Sequence, residues 1–156
     1  MNTPSQMSRR QLMALTGAVL LLRPDSVSAN ARKIVVHKNP SCGCCTAWAD
    51  HLRAHGFDVS EIETGDMDAV KVAAGVPKDL GSCHTAKIGT YVIEGHVPAH
   101  AIDKLLTLNP DATGLAVPGM PLGSPGMNGE PEDFEVVLFK GETRIVFGRY
   151  RGAGPS

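Results

Sequence analysis

The fold class of this chain can be inferred from residues 33–63, which read KIVVHKNPSCGCCTAWADHLRAHGFDVSEIE. A β-branched run at 33–37 predicts a strand, and the turn residues after it lead into a helical pattern. Apolar residues recur along that helix at the spacing i, i+3, i+4 and i+7, namely at Cys45, Trp48, Ala49 and Leu52. Residues 57–62 alternate and predict a second strand. Because a helix connects the two strands, the pattern predicts a βαβ unit with parallel strands.

The residues that follow predict the rest of an α/β domain. A second helix begins after Thr64 or Asp66 and ends at Gly75, and TYVIEG at 90–95 reads as a third strand. A third helix begins at Pro98 and buries Ile102, Leu105 and Leu106. Two strand-like runs, 134–139 and 143–150, predict a C-terminal β-hairpin. We therefore expect a single thioredoxin-like domain with a mixed sheet over residues 32–151, followed by a disordered tail at 152–156.

Between the third helix and the hairpin, residues 109–133 form a stretch rich in proline and glycine without helical or strand periodicity. A loop of this length in a small domain is usually either functional or disordered. Met120 and Met127 lie within it in matching Pro-Gly-Met triplets. Their thioethers are candidate soft ligands for a metal, and the alternative is that they pack as apolar plugs against the domain.

The first 31 residues predict a cleaved export signal. A basic pair, Arg9 and Arg10, precedes an apolar run at 12–22 that is too short to span a bilayer, and small residues allow cleavage after Ala29 or Ala31. The basic pair resembles a twin-arginine signal, and the general secretory route is also compatible with it. A periplasmic protein without a stable membrane span after cleavage follows. The charges, 15 basic and 16 acidic, argue against nucleic acid as a partner.

Three cysteines stand within four positions, Cys42, Cys44 and Cys45, at the start of the first predicted helix. The helix dipole stabilises thiolates there, and a third thiol would scramble a simple redox pair by exchange. Several thiolates within one turn favour a soft cation, above all Cu(I), over zinc or an iron–sulfur cluster. Cys83 precedes the third predicted strand, where a thioredoxin-like fold would bring it to the same helix start. The sequence therefore predicts a metal site of four cysteines.

Other interpretations of the cysteines and histidines remain open from the residues alone. An oxidising compartment allows two structural disulfides, but the adjacent pair Cys44 and Cys45 makes such a framework awkward. His84 is a candidate additional ligand, although neighbours on an extended segment point in opposite directions. The remaining histidines are predicted to be solvated or supporting residues: His37, His51, His55, His96 and His100.

Four segments together resemble the CopG family of periplasmic copper resistance proteins, a family also described as domain of unknown function 411. These segments are NPSCGCC at 39–45, SCHTA at 82–86, VIEGHVPA at 92–99 and GLAVPGMPLGSPGM at 114–127. The resemblance runs from about residue 33 to residue 150. It implies a thioredoxin-like domain that binds copper through Cys42, Cys44, Cys45 and Cys83, with copper ions and periplasmic copper transport or resistance proteins as partners.

A shorter resemblance links VVHKNPSC at 35–42 to thioredoxin-fold arsenate reductases, which are cytosolic and follow their cysteine with Ser and Arg rather than with further cysteines. Our hypothesis is an exported protein that holds Cu(I) in a four-thiolate site and serves copper resistance. Binding alone and redox conversion of copper are both compatible with that site. The alternatives are a thiol–disulfide oxidoreductase acting on protein substrates and an arsenate-reductase-like thiol enzyme.

Overall fold

The structure, a computed structural model, describes residues 32–156, so the export signal predicted for residues 1–31 lies outside the described residues. Within 32–156 there are three α-helices: α1 (Gly43–Ala54), α2 (Met67–Ala74) and α3 (Ala99–Leu108). The strands are β1 (Lys33–Lys38), β2 (Asp58–Glu63), β3 (His84–Ile88), β4 (Tyr91–Glu94), β5 (Gly114–Ala116), β6 (Asp133–Lys140), β7 (Thr143–Arg151) and β8 (Gly154–Pro155). None of the helices in this part has the length and apolar character needed to cross a membrane.

The strands form one mixed sheet in the order β2-β1-β3-β4-β5-β6-β7-β8. β1 and β2 are parallel, as the βαβ prediction requires, and β4 and β5 form the other parallel pair. The remaining neighbours are antiparallel, including β6 with β7. The α/β class with a mixed sheet is thereby confirmed. Its main core gathers apolar side chains from α1, α3 and most strands of the sheet.

Helix α1 packs on this core through the predicted stripe, since Cys45, Trp48, Ala49 and Leu52 are all buried. Burial of a large apolar side chain contributes roughly 1.5–3 kcal/mol. The Trp48 indole also donates a hydrogen bond of 2.9 Å to the Val97 carbonyl oxygen. This bond ties the middle of α1 to the segment that leads into α3 and so fixes the position of the cysteines at the start of α1.

The other two helices have the termini that their sequences indicate. The Asp66 side chain caps α2 by accepting from the Ala69 amide at 2.9 Å, and Gly75 ends it in the left-handed conformation. Pro98 is the N-cap of α3 rather than its first residue, and Asn109 ends the helix. On the predicted inner face of α3, Ile102 and Leu105 are buried and Leu106 is half-buried.

Three short strands differ from the sequence prediction. β3 directly follows Cys83, whereas TYVIEG, predicted as the third strand, contains β4. β5 lies inside the segment predicted as a loop, and β8 pairs with the end of β7 although residues 152–156 were predicted to be disordered. β5 needs Gly114, because a Cβ there would lie 1.8 Å from the Val92 carbonyl oxygen. Strands of two to five residues carry too little periodicity to be recognised.

Candidate metal centre

The cysteine segment is shaped by the turn that ends β1. The Asn39 side chain accepts hydrogen bonds from the backbone amide and the hydroxyl of Ser41, at 3.0 and 2.7 Å, and the Cys42 amide donates to the Asn39 carbonyl oxygen at 3.0 Å. Cys42 is the N-cap of α1 and has an extended backbone. Cys44 and Cys45 therefore occupy the first turn of the helix, next to Cys42 on the loop.

Cys83 reaches the same place through the register of the sheet. β1 and β3 are antiparallel with Lys38 opposite His84, so the residue before β3 lies beside the loop that follows β1. The preceding amide, that of Ser82, donates to the Glu94 carboxylate at 2.6 Å. That contact holds the segment around Cys83 against β4.

Glu94 is fully buried, and its carboxylate accepts several hydrogen bonds that hold this segment in place. Besides the Ser82 amide it accepts hydrogen bonds from the Lys71 ammonium, at 2.5 Å, and from the Thr85 hydroxyl, at 2.7 Å. Burial raises the pKa of Glu94, and the hydrogen bonds from Lys71 and Thr85 oppose that rise. The network links α2, β3 and β4 directly behind the cysteines.

The structure brings together the four cysteines that the sequence singled out. Their Sγ atoms all lie within 4.8 Å of one another. The distance from Cys44 Sγ is 3.5 Å to Cys42 Sγ and 3.9 Å to Cys83 Sγ. Cys45 Sγ lies 3.8 Å from the Cys83 carbonyl oxygen. A compact sulfur cluster thus forms from two segments that are far apart in the chain.

The cluster contains one disulfide, between Cys42 and Cys45, with an S–S distance of 1.99 Å. Cys44 and Cys83 are free and partly buried. The described residues hold all four cysteines of the chain, so a framework of two structural disulfides is not formed. Four thiolate ligands would become available only after a two-electron reduction of this bond.

Two buried histidines extend the cluster from Cys83. His84 Nδ1 lies 3.4 Å and His96 Nε2 lies 3.1 Å from Cys83 Sγ. His96 Nδ1 lies 2.8 Å from the Pro125 carbonyl oxygen, which can only accept, so it carries the proton and the Nε2 lone pair faces the sulfur. His84 Nε2 is buried without a hydrogen-bond partner. Cys83, His84 and His96 form a second group whose ligand atoms lie within 4.8 Å of one another.

His96 was predicted only as a supporting residue, and its place beside the sulfur is a feature that the sequence prediction missed. The signal lies in the pairing of β3 with β4, which sets Thr85 opposite Glu94. That register brings the residues after β4 next to those before β3. This register helps to place His96 only once residues 84–88 have been recognised as strand β3.

Burial keeps the donor atoms of this group uncharged. Burial, followed by the neighbouring Cys44, raises the pKa of Cys83 to about 11. Burial lowers the pKa of His84 well below its usual range, with His96 and Lys71 as further causes, and burial also lowers the pKa of His96. At neutral pH the site therefore offers a protonated thiol and neutral imidazoles. A cation that binds Cys83 must displace its proton.

The long loop covers the outer side of the cluster. A cavity of about 460 Å³ opens beside Cys44, and its lining includes both methionines that the sequence singled out: Gly43, Cys44, Ala47, Met120, Gly126, Met127 and Asn128. Met120 is exposed. The two Pro-Gly-Met triplets thus bring thioether side chains to the approach of a free thiol.

Comparisons with known proteins agree with these observations. A sequence model of the family described as "Protein of unknown function, DUF411" matches residues 80–127, which include Cys83 and both loop methionines. A solved structure described as "Copper resistance protein copG- Form 2" is 45% identical, covers 76% of this chain and 97% of its own, and has a TM-score of 0.72. "Copper resistance protein copG- Form 1" is also 45% identical, covers 77% and 98%, and has a TM-score of 0.71. No curated protein matches the chain.

Proposed function

We propose that this chain, which belongs to the DUF411 family of CopG-type copper resistance proteins, is exported and binds copper as Cu(I) through Cys42, Cys44, Cys45 and Cys83. The observation that carries the proposal is the convergence of four sulfur atoms from two separate segments. Thiolates are soft ligands that favour Cu(I), zinc and iron–sulfur clusters, and the copper-resistance relatives favour copper among these. A role in copper resistance follows from the family and from this donor set.

The spacing of the sulfur atoms suits a shared metal ion. Sulfurs that bind one ion tetrahedrally at about 2.3 Å, the distance known for zinc, lie about 3.8 Å apart. The distances from Cys44 Sγ, 3.5 Å to Cys42 and 3.9 Å to Cys83, are close to that value. His84 is a further candidate ligand from the inner side, and Met120 and Met127 are candidates to hand copper to Cys44 from the cavity.

The disulfide supports a redox role for the same site. Reduction of the Cys42–Cys45 bond takes up two electrons and two protons and yields two thiols. In the reverse direction, these thiols give one electron to each of two Cu(II) ions, re-form the S–S bond and release two protons. Two Cu(I) ions result, and only Cys44 and Cys83 remain as thiol ligands until the disulfide is reduced again and the four-thiolate site is restored. Sustained conversion requires a reductant, for which an external thiol serves in the assay.

The fold and the location belong to the proposal as well. A βαβ unit with a CxxC pair at the start of α1, followed by antiparallel strands and a further helix, is the arrangement of a thioredoxin-like domain. A periplasmic location follows from the signal predicted for residues 1–31 and from the copper-resistance relatives. The partners we propose are copper ions and other exported proteins that transport copper or confer resistance to it.

Anaerobic titration of the reduced protein with Cu(I), in competition with a chromophoric chelator, tests the site. We expect each Cys→Ser variant to lose at least about tenfold in affinity, equivalent to about 1.4 kcal/mol. Ser60→Ala, an exposed residue of β2 that carries no sulfur and takes no part in the cysteine turn, is the control and should bind as the wild type does. Full affinity in Cys83→Ser would show that the four-ligand site is wrong.

Turnover separates binding from catalysis. Four thiols can reduce Cu(II) once in either case, so the measurement is Cu(I) formed per protein with Cu(II) and an external thiol in excess, against a protein-free blank. Many turnovers indicate an oxidoreductase. A single stoichiometric burst indicates a binding protein.

Thiol–disulfide exchange on protein substrates is the second candidate, and the Cys42–Cys45 disulfide at a helix start favours it. Cys44 is dispensable in that mechanism, so Cys44→Ser should keep activity in an insulin-reduction assay while losing copper affinity. Absence of insulin reduction by the wild type would exclude this function.

A further inference from the structure

Three of the six histidines gather at the end of α1 away from the sulfur cluster. The ring centroids of His51 and His55 lie 4.4 Å apart, and those of His55 and His100 lie 5.6 Å apart with an edge-on geometry. His55 is the C-cap of α1, roughly 16 Å along the helix from Cys44. His100 stands in the first turn of α3. The sequence prediction treated these residues as solvated or supporting, and local spacing could not show that His100, on a different helix, lies beside His55.

Hydrogen bonds determine which nitrogen of His55 is free. Its Nδ1 lies 2.8 Å from the His51 carbonyl oxygen, and because a carbonyl only accepts, this nitrogen carries a proton. The neutral ring therefore keeps its lone pair on Nε2, and no hydrogen bond within residues 32–156 uses that atom. Histidines that bind metals commonly donate their other N–H to a backbone carbonyl, which fixes the ring.

His51 packs beside these two histidines but has no free ring nitrogen for a metal ion. Its Nε2 accepts a hydrogen bond from the Ala99 amide at 3.2 Å, so its lone pair is already used. Burial, followed by the neighbouring His55 and His100, lowers the pKa of His51 to about 4. The ring is therefore neutral at neutral pH and packs against His55 without adding a positive charge.

We propose that His55 and His100 form a second metal site, which takes Cu(II) through two imidazole nitrogens at the surface. Two imidazoles bound to one ion at about 2.0–2.1 Å place their centroids roughly 5 Å apart, close to the separation observed here. Imidazole suits Cu(II), Ni(II) and Zn(II), and Cu(II) binds most tightly in that series. Within the described residues, groups of three or more clustered ligand atoms involve only the cysteines, His84 and His96, so the two imidazoles are the protein ligands of the proposed site.

The charges around the two histidines are compatible with a bound cation. Arg32 donates to the carbonyl oxygens of His55 and Gly56, at 2.6 and 3.0 Å. Its positive charge is offset by Asp103, which it contacts at 2.9 Å and which lies one turn after His100 on α3. The negative pole of the α1 dipole at His55 and the positive pole of the α3 dipole at His100 oppose each other, so the helix ends contribute little net field at the site. A divalent ion thus meets no unpaired positive charge from these neighbours.

The two sites differ in the softness of their ligands. Sulfur favours the soft Cu(I), whereas imidazole suits the harder divalent ions, among which Cu(II) binds most tightly, so one chain would hold the two oxidation states of copper at separate places. The inference does not rest on the function proposed for the cysteines, because both of its ligands are imidazoles.

The test uses the full chain with the Cys42–Cys45 disulfide intact and with Cys44 and Cys83 both replaced by serine, so that no thiol binds or reduces copper. We expect one Cu(II) per chain, with an electron paramagnetic resonance spectrum that shows coupling to two nitrogens. His55→Gln and His100→Gln should each lower the Cu(II) affinity by about tenfold or more and remove one nitrogen from the coupling pattern.

The matched control is His37→Gln, which removes a histidine whose ring lies beside the Thr64 hydroxyl instead. It should leave Cu(II) affinity and spectrum unchanged. His55 and His100 are exposed, so circular dichroism should show that their variants fold. Unchanged Cu(II) binding in both variants, or an equal loss in His37→Gln, would overturn the second site. Cu(I) titration of reduced His55→Gln and His100→Gln proteins that keep all four cysteines reports on the sulfur site separately.

Discussion

Replacing Gly126 with alanine should force the long loop away from α1. Gly126 has a φ of +88°, and a Cβ there would lie 2.6 Å from both the Cys44 carbonyl oxygen and the Trp48 amide nitrogen. Both atoms belong to the backbone of α1, so no side-chain rotation relieves the overlap. Gly119, in the matching Pro-Gly-Met triplet, has a φ of +79° with no atom within 4 Å of such a Cβ. A comparison of alanine variants at the two glycines therefore separates the energetic cost of the backbone conformation from the cost of the steric overlap.

The expected loss of unfolding free energy follows from two effects, backbone conformation and close packing. A left-handed backbone conformation costs a non-glycine residue about 1–2 kcal/mol, and this cost applies to both variants. Forcing extra atoms into a packed contact costs about 1–3 kcal/mol more, and it applies to Gly126 alone. We expect Gly119→Ala to lose about 1–2 kcal/mol of unfolding free energy and Gly126→Ala to lose about 2–5 kcal/mol. If the loop instead moves off α1, the loss is smaller but Cys44 becomes exposed.

Two measurements together detect either outcome. Urea unfolding gives the free energy of unfolding for both variants and the wild type. The rate of alkylation by N-ethylmaleimide reports on Cys44, in an oxidised Cys83→Ser background where it is the one free thiol. Gly126 and Cys44 line the same cavity, so Gly126→Ala should speed alkylation and Gly119→Ala should not. Equal stability and equal alkylation rates in the two variants would refute the proposed packing of the loop on α1.

Three further results are expected. Lys71→Met leaves the buried Glu94 carboxylate without its ion pair and should cost about 3 kcal/mol in urea unfolding at pH 7; a loss below about 1 kcal/mol would contradict this. In metal-free protein, the pKa of His51 is about 4 in the native state and about 6.5 in the unfolded chain, so the unfolded chain binds the proton first and stability falls as the pH drops. His51→Gln should therefore reduce the loss of unfolding free energy between pH 7 and 4.5 by about 2 kcal/mol. An identical pH dependence in His51→Gln would rule that out. A thiol assay in denaturant should find two thiols per chain before reduction of Cys42–Cys45 and four after it, and any other count would contradict the disulfide.

The parts of the fold that could be predicted are those with repeated local patterns. The stripe from Cys45 to Leu52 and the alternation at 57–62 identify the βαβ unit, and the parallel register of β1 and β2 confirms it. β3, β5 and β8 lack such patterns. They exist because neighbouring strands supply hydrogen bonds across the sheet, and that information lies in other parts of the chain.

For the candidate site, the sequence singled out the four cysteines that lie together, but not which of them form a disulfide. The spacing of Cys42 and Cys45 allows either a disulfide or two ligands, because both need the sulfur atoms close together, and the redox conditions select between them. The positions of His96 and His100 depend on the register of β3 with β4 and on where α3 begins. Such long-range placements cannot be read from local spacing.

Contacts of the surrounding fold hold the segments that carry the sulfur atoms. Cys83 is placed by the pairing of Lys38 with His84 and by the Ser82 amide on Glu94, and Cys42 is placed by the turn at Asn39. None of these three contacts uses sulfur. A zinc finger, in contrast, is unfolded without its metal because the ion itself orders the ligands. In this chain the fold itself brings the sulfur atoms together, so if the cysteines bind copper as proposed, the ion can enter and leave while the domain stays folded.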